Sequence, residues 1–479
     1  MNILFVGVEC FPFAKVGGLG DVMGSLPGVL NSLGEEVRVI LPKYPSIKEE
    51  LLKDLTPLAS FKVYVGTKPT DAKLNELIYN NVHYYFIESE KYFGPERKGV
   101  YNCEEEHDGW VFFQMAVLES IKYFKDFEPD IIHCHDWHVG MIPHLVKTKY
   151  YDTLGHIKTI FTIHNIIYQG DYPRQTVKKF NIKFDNSLLG HNGKLNYMRS
   201  AITAADFVNT VSKTYAKELT TSEFLSYGMR PYLRQKAKDS KFIGIINGID
   251  YSIFNPETDN ILPLQYDFNN YREGKLEAKK ALYEELGVDF YTNVPMIGIV
   301  SRLTEQKGLD LIMEIIEELL SECAFKFIVV GTGDQKYEDF FKDLEKKHPY
   351  KVKCFLGYSD KLAHLVYGAS DMFLMPSKFE PCGLGQMIAL RYGSLPIVRE
   401  TGGLNDSVEA YNEYELTGNG FSFTNYNSHD MLYVIKYAFR TYSQKHCWDI
   451  LVQNAMASDF SFEHSAKKYI QMYRRVMGK

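Results

Sequence analysis

Two glycine-rich turns carry the residue types best suited to binding an anion. The first is Lys15–Asp21 (KVGGLGD) and the second is Glu380–Gln386 (EPCGLGQ). Each follows a short apolar run and precedes a helical pattern, so bare backbone N–H groups and the positive end of a helix dipole would face the anion. Pro381 is expected in the first turn of the second helix. Two such turns in separate halves of the chain predict two nucleotide-type domains that share one cleft.

Two cations follow a later apolar strand. Arg302 and Lys307 come directly after the predicted strand Met296–Ser301, so both would lie at its carboxyl end, where open α/β sheets bind ligands. A guanidinium and an ammonium group this close together, before a glycine-led helix, suit a diphosphate. A pair of solvated loop side chains explains the same spacing, and both interpretations stay open. Thr401–Leu404 (TGGL) repeats the strand–glycine–helix arrangement.

A histidine-rich run, His133–His138 (HCHDWH), has the residue types of a metal site. At the end of a strand, however, alternate side chains point to opposite faces, so four ligands would not converge without a sharp turn. The chain also lacks an Asp-x-Asp motif that could hold a divalent metal on a diphosphate. We therefore predict a polar cleft lining and no metal. The pair His164-Asn165 ends the next strand in the same way, and buried core histidines remain the alternative.

These residues need strands and helices that position them, and the sequence alternates between the two. Ile3–Val8, a helical pattern over 21–33 and Val37–Leu41 form one predicted βαβ unit with the first glycine turn inside it. Residues 61–65 and 82–87 alternate in polarity and are predicted as an antiparallel insertion. The fold class is therefore α/β.

A polar segment over 213–245 separates two such series. We predict an N-terminal domain over 1–240 and a C-terminal domain over 241–458 that begins with the strand Phe242–Ile246. A terminal helix is expected over 459–479.

Composition excludes several classes of protein. The net charge of −6 gives no basic field for nucleic acid or an acidic membrane. No apolar run approaches the ~18–20 residues that span a bilayer, and the apolar start is predicted to be a buried strand rather than a signal peptide. The seven cysteines, Cys103 among them, are scattered without a CxxC pair, which is typical of reduced thiols. We expect a soluble cytoplasmic protein.

The motifs together resemble the bacterial glycogen synthase and plant starch synthase family. The resemblance covers nearly the whole chain, and it rests on the two glycine turns, the histidine-rich run, the INGID run Ile246–Asp250, and the cations that follow Ser301. It implies a GT-B fold, in which two Rossmann-like doubly wound domains face each other across a deep cleft and a C-terminal helix crosses back to the first domain. It also implies retaining transfer of glucose from ADP-glucose to the 4-hydroxyl at the non-reducing end of an α-1,4-glucan such as glycogen, with no cofactor.

The resemblance also assigns roles to single residues. The groups implied in catalysis are Asp136, His164, Arg302, Lys307 and Glu380. Those implied in binding the donor or the acceptor are Lys15, Gly17, Gly18, His138, Asn165, Asn247, Tyr358, Cys382, Gly383, Leu384, Gly385, Thr401 and Gly402. Within these sets, the backbone carbonyl of His164 would face the anomeric carbon, and Tyr358 would stack on the donor base.

The sequence departs from the family at two positions and leaves three alternatives open. Many members have Thr at the position of Gly385, and many other retaining GT-B enzymes have a second carboxylate where this chain has Ile388. One alternative is a retaining GT-B enzyme that uses UDP-glucose or a non-glucan acceptor. The others are an inactive glucan-binding scaffold and a zinc hydrolase built on His133, His135 and His138.

Overall fold

The computed structural model describes residues 1–101, 106–190, 192–288 and 294–478. The chain divides into two compact units, Met1–Gly248 with Phe462–Lys479, and Ile249–Ser461. Cys103 lies outside the described residues, whereas the six described cysteines are free thiols. None of the described helices is long and apolar enough to cross a membrane.

The first unit contains most of the strands. Its elements in chain order are β1 (Asn2–Val6), α1 (Gly18–Ser32), β2 (Glu36–Pro42), β3 (Thr56–Val65), β4 (Lys68–Tyr79), β5 (Val82–Glu88), α2 (Glu90–Phe93), α3 (Glu106–Ser120), β6 (Ile131–His135), α4 (Ile142–Lys147), α5 (Tyr151–Leu154), β7 (Lys158–Ile163), β8 (Asp171–Tyr172), β9 (Leu195–Asn196), α6 (Tyr197–Ala204), β10 (Phe207–Thr210), α7 (Lys213–Thr221), α8 (Glu223–Ser226), α9 (Arg230–Lys238) and β11 (Phe242–Gly244).

The second unit follows, and the last helix returns to the first unit. The elements are α10 (Tyr271–Leu286), β12 (Met296–Val300), α11 (Leu309–Glu322), β13 (Lys326–Val330), α12 (Gln335–Lys347), β14 (Val352–Phe355), α13 (Asp360–Ala369), β15 (Met372–Met375), α14 (Gly385–Arg391), β16 (Leu395–Arg399), α15 (Gly402–Ser407), β17 (Phe421–Phe423), α16 (Ser428–Ser443), α17 (Lys445–Ala457) and α18 (Phe462–Val476).

The main sheet of the first unit has the strand order β11-β10-β7-β6-β1-β2-β5-β4-β3. From β11 to β5 every neighbouring pair is parallel, so the carboxyl ends of β1, β6, β7 and β11 share one edge. The central strand β1 is apolar throughout its buried part, and Ile3–Val6 are fully buried, as expected for a parallel strand with both faces covered.

Two expectations about the first unit need correction. Phe242–Gly244, predicted to open the second domain, is the edge strand of the first sheet, where it pairs in parallel with β10. An apolar run specifies a buried strand but not the sheet it joins. The predicted antiparallel insertion contains a third strand, β4, which pairs antiparallel with both β3 and β5, while β5 also pairs in parallel with β2.

The sheet of the second unit is parallel throughout, in the order β14-β13-β12-β15-β16-β17. Its helix α11 has the apolar spacing of a helix with one buried face, and Leu309, Ile312, Ile316 and Leu319 are buried. The loops that follow β12, β14, β15 and β16 all leave from the same edge of this sheet, which positions the candidate residues of the second half.

The helix α18 packs against α1 in the first unit. Its buried side chains recur with helical spacing and include Phe462, Ala466, Tyr469 and Tyr473. The Tyr473 hydroxyl lies 2.9 Å from Nδ1 of His133, so this helix supports the strand that leads into the histidine-rich run.

Candidate active site

The histidine-rich run leaves the carboxyl end of β6. His133 is fully buried, and its Nε2 lies 2.6 Å from Oγ1 of Thr162 on the neighbouring strand β7. His135 lies on the same face, and its Nδ1 is 3.1 Å from Nε2 of His164 at the end of β7. Hydrogen bonds to protein partners thus fix these rings in place. Among the described residues, no three His, Cys, Asp or Glu side chains are arranged to hold a metal ion.

Burial keeps these imidazoles neutral. It lowers the pKa of His133, His138 and His164 to about 3 each and lowers that of His135 well below its usual value, because a charged ring loses its hydration in the interior. At neutral pH the cluster therefore offers hydrogen bonds and no positive charge.

Asp136 stands at the sharp turn that ends β6. Its φ of 65° and ψ of 171° belong to a region that residues other than glycine rarely adopt, and such backbone strain costs about 1–3 kcal/mol. Its N–H donates to the carbonyl of Thr162 at 3.0 Å. The buried Oδ1 makes no hydrogen bond to the described residues. Burial raises the pKa of Asp136 to about 8, against the opposing effect of the backbone N–H groups of Asn165 and His164.

The first glycine turn is held by a carboxylate that sequence reasoning missed. Oε2 of the buried Glu9 accepts hydrogen bonds from the N–H groups of Val16 and Gly17, at 2.7 and 2.8 Å. Its Oε1 accepts from the Tyr101 hydroxyl. The expectation of bare N–H groups is therefore wrong for Val16 and Gly17. The only sequence signal for Glu9 is an acidic residue shortly after the first strand, which many chains share.

The remaining candidates of the first unit lie along the same sheet edge. Lys15 forms an ion pair with Asp21 at 2.7 Å, and Gly18 begins α1. Asn165 accepts from the N–H of Ile167 at 3.2 Å through its side chain. Two polar atoms are buried here without a hydrogen bond to the described residues: Nδ1 of His138 and Oδ1 of Asn247.

In the second unit, the two cations after β12 differ from each other. Arg302 is exposed. Lys307 ends a short 3₁₀ turn, and its Nζ lies 2.6 Å from Oε2 of Glu380, whose side chain is only 8% exposed. The same oxygen accepts from the Ser377 hydroxyl at 3.0 Å. Lys307 is therefore not the solvated loop residue of the alternative interpretation, since it belongs to a largely buried ion pair.

The second glycine turn, Glu380–Gln386, packs tightly against the TGGL turn, Thr401–Leu404. Gly402 has a φ of 46°, and a Cβ on it would lie 1.8 Å from the Glu380 carbonyl oxygen. The N–H of Gly403 donates to that same carbonyl at 3.0 Å. Only a residue without a side chain fits this contact. The TGGL turn therefore fixes the backbone position of Glu380.

The chain from Pro381 to the helix is longer than expected. The helix α14 begins at Gly385 with Leu384 as its N-cap, so Pro381 is not in its first turn. The intervening Gly383 has a φ of 72°, and the side chain of Gln386 donates to the carbonyl groups of Cys382 and Gly383 at 3.1 and 2.9 Å. The Gln386 amide thus ties the turn at Cys382 and Gly383 to the start of α14.

The structure brings the sequence-predicted residues together at two sheet edges. In the first unit these are the residues that follow β1, β6, β7 and β11. In the second unit they follow β12, β14, β15 and β16, with Thr401 as the N-cap of α15. Tyr358 follows β14, is 80% exposed, and donates from its hydroxyl to Asp360 at 2.5 Å. Its exposed ring suits stacking on a ligand.

Comparison with known proteins gives matches along the whole chain. Residues 2–235 match a family model described as the starch synthase catalytic domain, and residues 287–448 match one described as glycosyl transferases group 1. A glycogen synthase of Clostridium novyi is 46% identical over 485 residues that cover all of both chains. One of Geobacillus stearothermophilus is 43% identical, covering all of this chain and 98% of its own.

A solved structure shows the same overall similarity. The catalytic domain of starch synthase IV from Arabidopsis thaliana, bound to ADP and acarbose, aligns with a TM-score of 0.91 and 34% identity over all of this chain and 99% of its own.

Proposed function

The chain belongs to the glycogen and starch synthase family of GT-B glycosyltransferases, and we propose that it transfers glucose from ADP-glucose to the 4-hydroxyl at the non-reducing end of an α-1,4-glucan. The configuration at the anomeric carbon is retained. The observation that best supports this proposal is the largely buried pair of Lys307 and Glu380, 2.6 Å apart beside the glycine turns. No metal or cofactor takes part in it.

The leaving group is a diphosphate, and its developing charge needs cations and N–H donors. Arg302 provides an exposed guanidinium that suits bidentate contact with phosphate oxygens. Lys307 provides an ammonium that Glu380 already holds in place. In this proposal Lys15 adds a further positive charge, and backbone groups of Gly17, Gly18 and Gly402 approach the donor closely.

The transferred glucose is held by the second glycine turn. Glu380 has one oxygen on Lys307 and Ser377, which leaves its other oxygen available to accept from a sugar hydroxyl. Cys382, Gly383, Leu384 and Gly385 follow Glu380 in the chain, and Thr401 directly precedes Gly402, which packs against the Glu380 carbonyl. In the proposal Tyr358 stacks on the adenine.

The acceptor side uses groups that are neutral near pH 7. Because the pKa of Asp136 is about 8, its carboxyl donates a hydrogen bond below that pH and orients the acceptor hydroxyl rather than taking its proton. The neutral His138, Asn165 and Asn247 supply further hydrogen bonds. His164 is also neutral, and its backbone carbonyl stabilises positive charge on the anomeric carbon.

The test is a comparison of donors with glycogen as the acceptor. We expect incorporation of glucose from ADP-glucose and less from UDP-glucose. If the protein prefers UDP-glucose, the proposed donor is wrong and UDP-glucose takes its place. If the protein binds glycogen but transfers no glucose, it is an inactive scaffold. The reaction is proposed for the cytoplasm.

A further inference from the structure

The proposed chemistry depends on where the segment 377–380 lies, because this segment carries the carboxylate that pairs with Lys307. It forms the first part of the loop that follows β15. The TGGL turn fixes its last residue by contacting the Glu380 carbonyl. The Ser377 hydroxyl holds the carboxylate itself, at 3.0 Å. These contacts do not explain what fixes the backbone at the start of the segment.

The side chain of Arg399 supplies this support. Its Nε donates to the Ser377 carbonyl at 3.0 Å, and its Nη2 donates to the Lys378 carbonyl at 2.6 Å. Its Nη1 donates to the Thr424 carbonyl at 3.3 Å. One guanidinium group thus joins the loop after β15 to the loop after β17. Hydrogen bonds from a charged donor are stronger than those from a neutral one, and the planar group fixes the angles between its donors.

The backbone of Arg399 is itself fixed. Arg399 is the last residue of β16 and pairs in parallel with Phe423 of β17. The next residue, Glu400, accepts hydrogen bonds from the hydroxyls of Ser422 and Thr424, at 2.7 and 2.8 Å. The base of the Arg399 side chain therefore belongs to the parallel sheet, while its guanidinium group reaches the loop.

An aromatic ring contacts the same guanidinium group. The centroid of the Tyr426 ring lies 5.6 Å from Cζ of Arg399, within the ~6 Å of a cation–π contact. The Tyr426 hydroxyl donates to Oδ1 of Asp310 at 2.6 Å, in the first turn of α11. Arg399 therefore belongs to a connected set of contacts that extends from α11 to the segment that carries Glu380.

The short turn that carries Lys307 contacts the segment as well. The N–H of Lys378 donates to the Gln306 carbonyl at 2.9 Å. The Gln306 side chain donates to the Phe379 carbonyl at 3.3 Å. Because Gln306 directly precedes Lys307, a shift of the segment would displace both members of the ion pair between Lys307 and Glu380.

We propose that Arg399 is a positioning residue for glucosyl transfer, since its guanidinium group holds the segment on which Glu380 and Lys307 depend. The inference rests on the function proposed above. Arg399 acts through the loop backbone and does not contact the nucleotide. Because a misplacement of about 1 Å can cost on the order of 10²-fold in rate, weaker support lowers turnover without removing a catalytic group.

The experiment compares two variants of the full chain. Arg399→Met removes all donors, and Arg399→Lys keeps the charge but loses the planar fork. We expect kcat with ADP-glucose and glycogen to fall about 10–100-fold in both variants, whereas KM for glycogen stays close to that of the wild type because the proposed acceptor groups belong to the first unit. Arg440→Met is the matched control, since Arg440 is exposed on α16 of the same unit, and it should keep the wild-type kcat.

The lysine variant distinguishes support of the loop from contact with the nucleotide. Calorimetric titration with ADP counts the folded sites, and we expect about one ADP per chain in every variant. If Lys restores most of the kcat and ADP affinity that Met loses, the charge contacts the nucleotide and the inference is overturned. An Arg399→Met variant with wild-type kcat would overturn it too.

A double variant tests whether Arg399 acts through the segment. Arg399→Met and Ser377→Ala both act on the position of Glu380, so their combined loss of kcat should be smaller than the product of the single losses. Losses that multiply would show that Arg399 acts elsewhere and would overturn the inference.

Hydrogen exchange of the peptide that contains residues 377–380 gives a readout without turnover. We expect faster exchange in both Arg399 variants than in the wild type, and no change in Arg440→Met, because the lost hydrogen bonds let the segment open. Unchanged exchange in the Arg399 variants would overturn the inference. A folded wild type that transfers no glucose would contradict only the proposed function, since the exchange rates do not depend on transfer.

Discussion

Replacing Lys307 with Ala separates two roles of one ammonium group. In catalysis we expect turnover to fall by ~10²–10³, equivalent to ~3–4 kcal/mol, because one preorganised stabiliser of the leaving diphosphate is lost. In folding, the change leaves the Glu380 carboxylate without its cationic partner. The Glu380 side chain is only 8% exposed, and the Lys307 side chain that is removed is 15% exposed. Breaking a fully buried pair costs about 3–5 kcal/mol.

We expect a smaller loss of unfolding free energy here, about 2–3 kcal/mol, because Ser377 still donates to Glu380 and the pair is not fully buried. The double variant Lys307→Ala, Glu380→Gln removes the unpaired charge, so most of this stability should return while turnover stays low. Chemical denaturation and initial rates with ADP-glucose and glycogen measure the two quantities.

A surface ion pair of the same unit provides the matched control. Lys378 pairs with Glu305 at 2.7 Å, and their side chains are 35% and 63% exposed. Lys378→Ala should change stability by less than ~1 kcal/mol and leave turnover close to that of the wild type. Near-normal turnover of Lys307→Ala would contradict a role of this ammonium group in catalysis, as would a double variant that recovers turnover together with stability.

Three further changes follow from the structure. Asp136→Asn should raise the melting temperature more at pH 8 than at pH 5. The folded carboxyl keeps its proton up to a pKa of about 8, whereas the carboxyl of the unfolded chain loses its proton above a pKa of about 4. The stability of the wild type therefore falls as the pH rises from about 4 to about 8, and that of the Asn variant does not. Gly402→Ala should destabilise the protein by several kcal/mol, because its Cβ would lie 1.8 Å from the Glu380 carbonyl at a φ of 46°. Exhaustive EDTA treatment should leave transfer activity unchanged, as measured by glucose incorporation.

For each of these three predictions, one result would contradict it. A constant difference in melting temperature across pH 5–8 would contradict a protonated Asp136. Normal stability of the Gly402 variant would contradict the close contact of the two turns, for which Gly17→Ala is the control because a Cβ there meets no atom within 4 Å. Activity that EDTA abolishes and Zn²⁺ or Mn²⁺ restores would show that a metal takes part.

The alternation of apolar strand patterns with helical patterns predicted the α/β fold class. Strands of a parallel sheet are buried on both faces, so they stand out in the sequence as continuous apolar runs. The strands Asn2–Val6 and Met296–Val300 lie within two residues of the predicted strands Ile3–Val8 and Met296–Ser301. The same pattern gave the wrong sheet for Phe242–Gly244. Its pairing with β10 is set by tertiary contacts that a local apolar run does not encode.

The catalytic roles of the candidate residues stay predictions, but their positions were predictable where a side chain directly follows an apolar strand. Arg302, Asp136 and His164 were placed at strand ends in this way. Glu9 was not, because its importance comes from hydrogen bonds to Val16, Gly17 and the distant Tyr101. Contacts between residues far apart in the chain leave no local signal in a single sequence.

The same limit applies to the ion pair of Lys307 and Glu380. Each residue was singled out alone, but their contact at 2.6 Å joins two motifs from separate strands. The neutral state of the histidines is also a tertiary property, since it depends on burial that composition does not reveal.

Glucosyl transfer is tested most directly by the incorporation of radiolabelled glucose into glycogen by the purified protein, with ADP-glucose and UDP-glucose supplied separately at equal concentration. We expect label from ADP-glucose to enter α-1,4-linked chains faster than label from UDP-glucose. Faster incorporation from UDP-glucose, or none from either donor by a folded protein that binds glycogen, would contradict it.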